Sequence, residues 1–297
     1  MKARPITLRQ RLLPVATVLA GVLLLWYLGA VALNRAGAIE RVLPNSHPNG
    51  DWTVAELVGT TLAMERPVLP APHQVAADLY SRVVDWPLDS PRNLLYHVAV
   101  TAQSTLVGFV LGTLLGVALA AAIVHSRTLD RALLPWIVAS QTVPVLAIAP
   151  IVLVILGSLG FSGVAPKATI AMYLCFFPVT VAMVQGLRAP QRIETELMHT
   201  YAASRLQAFW LLRMPSALPY LFPSLRVAIA AGLVGAMVAE LPTGAQAGLG
   251  AKLLTGSYYG NTVGIWSALV MSALLGLGLT AAVAAIERLV LRSWRPV

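Results

Sequence analysis

The sequence predicts an all-α polytopic membrane protein with six transmembrane helices. Composition, apolar spacing and charge asymmetry carry that prediction. Of 297 residues, 58% are hydrophobic and only 11% are charged. A soluble domain carries about 25% charged residues, and the mean hydropathy here is +0.75. There is too little polar surface to cover a water-soluble body, which excludes a cytosolic enzyme, a disordered chain and a secreted disulfide scaffold. The single cysteine, Cys175, permits no internal disulfide and reads as a small core residue.

A helix crosses the hydrocarbon core in about 20 residues. The first span is expected at Leu12 to Asn34, after Lys2, Arg4, Arg9 and Arg11. Ala30-Val31-Ala32 has the form of a signal-peptidase site, but the apolar stretch exceeds the h-region of such peptides. Residues 35 to 92 hold seven prolines and mixed charges, with no long apolar run. They read as a water-exposed periplasmic segment containing one amphipathic helix, Pro72 to Val84. The second span runs from Val98 to Val124, with Gly108, Gly112 and Gly116 on one face for close helix approach. The third runs from Leu133 to Leu156, interrupted by Pro135, Pro144 and Pro150. Ala168 to Leu187, Leu218 to Val238 and Val263 to Ala285 complete the set.

Six spans place both ends on one side. The N-terminus, residues 125–132, residues 188–217 and the tail after Ala285 together hold 13 Lys/Arg and 4 Asp/Glu. The opposite loops hold 7 Lys/Arg and 8 Asp/Glu. Basic residues mark the cytoplasmic side, so both termini are expected inside. The cations flank span ends and form no groove-sized patch, which argues against nucleic acid as a partner. The expected organisation is residues 1–34 as tail and first span, 35–92 as the periplasmic segment, and 93–297 as a five-span core with a cytoplasmic loop at 188–217.

That loop carries the most functional information. Leu197, Tyr201, Leu206, Phe209, Trp210 and Leu212 recur at three- and four-residue spacing (197/201, 206/209, 206/210 and 209/212), so a helix there is amphipathic. Such a helix lies on headgroups or docks in a partner's groove. Glu194 and Glu196 among the arginines favour a protein partner.

The loop resembles the EAA loop of the membrane subunits of bacterial ABC importers. That pattern has a Glu, a small residue (usually Gly) six positions on, and a Pro nineteen positions after the Glu. Glu196, Ala202 and Pro215 match these spacings, with Leu197, Met198 and Ala202 as departures. Alanine keeps the small side chain but adopts positive φ only at a cost. The likeness extends over roughly residues 65 to 290 and is closest to the branch importing nitrate, taurine, alkanesulfonates and pyrimidine or riboflavin precursors. Leu69-Pro70-Ala71-Pro72, Ser126-Arg127, Gln141-Thr142-Val143-Pro144, Leu225-Arg226 and Ala239-Glu240 carry it. Residues 36 to 64 have no counterpart.

The resemblance implies a type I ABC importer permease fold and a transport subunit with no catalytic site of its own. No phosphate-binding G-x-x-x-x-G-K-[ST] loop is present, so ATP and Mg are expected on a partner ATPase dimer. The resemblance further implies a periplasmic binding protein that delivers solute, a pair of permease copies, and spans that alternate between inward- and outward-open states. A coupling helix from Glu196 to Phe209 is expected to sit on the ATPase, with Glu196 near its N-terminus, Ala202 at a close approach, Arg205 in the docking stretch and Pro215 ending the helix. Alternatives stay open: Glu196 in a surface pair with Arg192, and Phe209 and Trp210 packing on their own bundle or at the lipid interface.

Polar groups within spans mark pathways. Gln141, Thr142 and Glu240 are the candidates for the solute pathway, with Arg226 reading as a structural ion pair and Tyr258 and Tyr259 as interface anchors. The stretch from Glu240 to Gly250 is apolar enough to fold back as a re-entrant segment. His97, His125 and His199 show no metal-ligand spacing. On the outer side only Lys167 and Lys252 could attract an anion, which favours a neutral heterocycle over a sulfonate as solute. The competing classes are a secondary transporter, which needs coupling acids deep in its spans, and an integral membrane enzyme, which needs clustered His or acidic residues at one depth.

Overall fold

The structure is a computed structural model that describes residues 8–46, 50–242 and 247–293. All regular structure among the described residues is helical. In chain order the helices are α1 (Leu8–Gly37), α2 (Leu43–Ser46), α3 (Val54–Ala63), α4 (Pro72–Val84), α5 (Leu94–His125), α6 (Arg127–Ala139), α7 (Val145–Ser158), α8 (Val164–Leu187), α9 (Arg192–Thr200), α10 (Arg205–Ala208), α11 (Met214–Glu240), α12 (Leu249–Tyr258) and α13 (Thr262–Ser293). Five helical segments are long and apolar enough to cross a membrane, and six if α6 and α7 together make one span.

The expected third span is where helix geometry departs from the sequence reading. It breaks into α6 and α7, which meet at 103°. Pro144 is the N-cap of α7 with extended ψ of 118°, and Ser140–Thr142 tighten into a 3₁₀ turn before it. A proline disfavours α geometry in the residue before it, so Val143 (ψ 122°) leaves the helix. The Tyr173 hydroxyl donates to the Ser140 carbonyl and satisfies a backbone group freed at the elbow.

Contacts divide the chain into two units, Met1–Leu94 with Leu253–Val270, and Leu95–Lys252 with Met271–Val297. In the first unit, α4 has the expected boundaries. Pro72 opens it, and Gln74 reaches back to the Ala71 N–H at 2.9 Å. The unmatched insertion contains a second helix, α3, which the sequence reading omits. Its signal is Thr53-Val-Ala-Glu56, a reciprocal capping box. Asn34 organises the connection between α3 and α4. Its amide donates to the carbonyls of Thr61 (3.2 Å) and Leu69 (2.9 Å), and its oxygen accepts from the N–H groups of Val68 (2.8 Å) and Leu69 (3.2 Å). Asn34 is fully buried, so every capacity of its side chain is used in holding that loop.

The second unit is built around α8. A Cβ on Gly108, Gly112 or Gly116 of α5 would lie 2.4 Å from the Ala171 Cβ, 2.5 Å from the Cys175 Cβ and 2.8 Å from the Phe176 carbonyl oxygen, respectively. The glycine stripe therefore does what its spacing predicts: two backbones approach without intervening side chains. On another face, Gly232 of α11 stands against Cys175, whose thiol donates to the Ala228 carbonyl at 3.1 Å. Cys175 is a buried core residue, as expected.

Candidate functional site

The 188–217 segment is an exposed pair of short helices. Gln191 begins α9, and Glu194 closes a capping box by accepting from the Gln191 N–H at 2.7 Å. Glu194 therefore takes the N-terminal position expected of Glu196. Glu196 lies one turn further on and accepts from Arg192 Nε at 2.7 Å, an exposed i,i+4 pair of the kind worth about 0.3–0.5 kcal/mol.

The expected continuous helix from Glu196 to Phe209 is interrupted at residues 201–204. The Ala202 N–H donates to the His199 carbonyl at 2.9 Å, and the Ala203 N–H to the Met198 carbonyl at 3.0 Å. These two bonds make a Schellman stop, which places Ala202 at the left-handed C′ position. Its φ is +51°, and among the described residues it alone is a non-glycine with positive φ. Ser204 then restarts the helix, capping Gln207 N at 3.3 Å while Gln207 reaches back to Ser204 N at 2.8 Å. The Ser-x-x-Gln box was present in the sequence, but the apolar spacing masked it.

Pro215 does not end the helical path. Residues 205 to 240 run as one apolar helical segment, with a π turn at Phe209–Arg213 and Pro215 in the first turn of α11. A proline lacks the N–H and crowds the carbonyl four residues back. The wider π turn just before it relieves both demands. The apolar side chains divide into two groups. Phe209 packs edge-on against His125 at 5.0 Å and joins the core of the second unit. Leu197, Tyr201, Leu206 and Trp210 stay exposed, Leu206 at 68%. Arg205 sits in the first turn of α10 among these exposed groups.

The second cluster surrounds Glu240, which is fully buried at the C-terminus of α11. Its carboxylate accepts from Thr101 Oγ1 (2.9 and 3.0 Å to its two oxygens) and from the Gly250 N–H (2.8 Å). Lys167 Nζ lies 3.7 Å away and donates to the Ala247 carbonyl at 3.1 Å. Thr101 in turn accepts from the Leu249 N–H at 2.9 Å, and His97 Nδ1 accepts from the Gly248 N–H at 3.0 Å. Residues 247–250 thus pack back onto α5, α8 and the end of α11. Thr243 to Gln246 of the expected re-entrant stretch lie outside the described residues. Gly248 has φ +127°, and a Cβ there would stand 2.2 Å from the Glu240 carboxyl carbon.

Beside this cluster opens a cavity of about 740 Å³, walled by the first turns of α5, the α7–α8 turn and the start of α8. Tyr96, Gln103, Phe161, Ser162 and Lys167 line it. Gln141 and Thr142 do not. Both are exposed at the α6–α7 elbow, where Thr142 donates to the Ala139 carbonyl at 2.7 Å. The pairing of Lys167 with Glu240, 73 positions apart, had no local sequence signal. Arg226 pairs with Glu287 of α13, the structural role expected of it.

The family described as binding-protein-dependent transport system inner membrane component matches residues 112–295. The chain belongs to this family. The permease is 32% identical to the formylaminopyrimidine transport permease of Halalkalibacterium halodurans, over 77% of this chain and 86% of that one. It is 32% identical to the riboflavin transport system permease of Chloroflexus aurantiacus, over 76% of this chain and 80% of that one. It is 28% identical to the taurine transport system permease of Escherichia coli, over 77% and 82% of the two chains. The permease is a multi-pass inner-membrane protein of the ABC importer family that the loop spacing indicated and of the branch that the motifs outside the loop indicated, and a transport subunit in place of an enzyme.

Proposed function

We propose that the permease forms the membrane pathway of an ATP-driven importer, with residues 192–213 as the docking element for a separate ATPase dimer. The observation that carries this reading is the α9–α10 pair, hinged by the left-handed turn at Ala202 and bearing Leu197, Tyr201, Leu206 and Trp210 exposed on its surface. A groove-docking helix presents apolar anchors in this way. Both termini and this element face the cytoplasm, following the positive-inside asymmetry. ATP and Mg bind on the ATPase, and closure of its dimer moves the α9–α10 element. Because that element is continuous with α11 through the π turn, the motion passes into the span, which alternates between inward- and outward-open states. A periplasmic binding protein delivers the solute, and two copies of the permease enclose the path within the lipid bilayer.

The solute is a small organic molecule, with a pyrimidine- or riboflavin-precursor-like heterocycle favoured over nitrate, taurine or a sulfonate. Two relatives are named for formylaminopyrimidine and riboflavin transport, and Lys167 has its charge matched by Glu240. The secondary-transporter alternative would need Glu240 as its coupling acid, and that carboxylate is engaged by Thr101, Gly250 and Lys167.

The test is ATP-dependent uptake in vesicles carrying the permease, its ATPase and its binding protein. Leu197→Asp with Leu206→Asp is expected to leave the permease folded, release the ATPase on purification and abolish uptake. Full uptake by that variant would refute the docking role.

A further inference from the structure

The cavity beside Lys167 has the size and lining of a ligand site, and nothing so far assigns it one. Its volume of about 740 Å³ falls in the 300–1,000 Å³ range of small-molecule sites. Lys167 is the one charged residue among its described lining residues. That side chain is nearly buried, anchored to the Ala247 carbonyl at 3.1 Å and faced by the Glu240 carboxylate at 3.7 Å. The wall is thus a polar N–H donor backed by a matched charge. An anion entering the cavity would compete with a carboxylate already fixed by Thr101 and Gly250, whereas an uncharged acceptor could use a Lys167 N–H without disturbing the pair. Tyr96 supplies an aromatic ring, held edge-on against His97 at 5.2 Å, and the His97 ring is pinned by the Gly248 N–H. Phe161 supplies a second ring, this one exposed. Gln103 and Ser162 are exposed at the same cavity. A glutamine amide offers a donor and an acceptor side by side, the pattern that an amino-substituted nitrogen heterocycle presents on its edge.

We propose that this cavity is a solute-binding site for an uncharged planar nitrogen heterocycle, seated by Tyr96, Phe161 and Gln103, and that the Lys167–Glu240 pair sets its selectivity against anions. The proposal deepens the importer reading and rests on it for the solute's route. Under the proposed orientation the site opens toward the periplasm, where the binding protein releases its cargo.

The experiment uses the purified full-length permease and does not require the ATPase. Ser162→Cys is placed in a Cys175→Ala background, which makes it the one thiol in the chain. The rate of maleimide labelling is measured with millimolar cytosine, riboflavin or methanesulfonate. Cytosine and riboflavin are expected to slow labelling at least threefold and methanesulfonate, a simple anion, not at all. Adding Gln103→Ala abolishes the protection. Adding Glu240→Gln uncovers the Lys167 charge and brings protection by methanesulfonate, while Lys167→Gln with Glu240→Gln retains protection by the heterocycles only and controls for loss of fold. Equal protection by methanesulfonate in the starting protein, no protection by either heterocycle, or protection that survives Gln103→Ala would overturn the proposal. Protection without ATP-dependent uptake would instead remove the importer reading and leave the site standing.

Discussion

Replacing Ala202 with glycine should strengthen the turn on which the proposed docking element depends. Ala202 occupies φ +51° at the C′ position of α9, where an L-residue is disfavoured by about 1–2 kcal/mol. Glycine removes that cost but brings about 0.5–1 kcal/mol of extra chain entropy to be lost on folding. The two hydrogen bonds of the stop, Ala202 N to His199 O and Ala203 N to Met198 O, use backbone atoms and survive the change. The net gain is roughly 0.5–1 kcal/mol, a two- to fivefold change in an opening equilibrium. Hydrogen–deuterium exchange of peptides spanning residues 198–206 reads that equilibrium directly, with α8 peptides as the unchanged reference. Ala202→Gly should slow exchange by that factor, and Ala202→Val, β-branched at a left-handed position, should accelerate it. If Ala202→Gly exchanges as fast as the starting protein or faster, and Ala202→Val is neutral, the left-handed turn does not form and the two-helix description of the loop is wrong.

Other expectations follow from the same contacts. Gly248→Ala puts a methyl group 2.2 Å from the Glu240 carboxyl carbon at a φ of +127°, and should cost about 2 kcal/mol or more, seen as a lower melting temperature in detergent. An unchanged melt would contradict the fold-back of the 247–250 loop. Asn34→Ala orphans the backbone partners at Thr61, Val68 and Leu69 and should destabilise the α3–α4 connection by at least about 3 kcal/mol. Faster amide exchange at residues 64–70 checks this. Arg226→Glu and Glu287→Arg should each lower the melting temperature, and the double exchange should recover most of the loss, with a coupling of about 1 kcal/mol. Additive single effects would show that the ion pair does not form.

Much of this architecture was legible from apolar run length alone. Five of the six expected spans lie within observed helices, and α4 was found end to end because Pro72 marks its start. Length cannot report direction. The run from Leu133 to Leu156 is apolar apart from Ser140, Gln141 and Thr142, yet Pro144 turns it by 103°. The loop at 188–217 shows the same limit at finer scale. Three- and four-residue spacing in the pairs Leu197–Tyr201, Leu206–Phe209, Leu206–Trp210 and Phe209–Leu212 suggested one helix, while the five-residue gap from Tyr201 to Leu206 and the Ser204–Gln207 box held the break. Ala202 matched the family spacing, and its positive φ explains why glycine is usual there. The cavity was largely illegible. Glu240 was singled out as an acid at the outer end of the fifth span, but its partners Lys167, Thr101 and Gly250 come from three other elements and meet only through folding.

The central claim is that the α9–α10 element meets an ATPase at the inner face of the membrane. The most direct test places a photo-crosslinking amino acid at Leu206, exposed on α10, and another at Phe209, packed against His125. Irradiation of cells expressing the permease with its ATPase should yield a covalent permease–ATPase adduct from position 206 and little from 209. Absence of the adduct at 206, together with labelling of a Leu206→Cys variant by an impermeant maleimide added outside intact spheroplasts, would contradict the account.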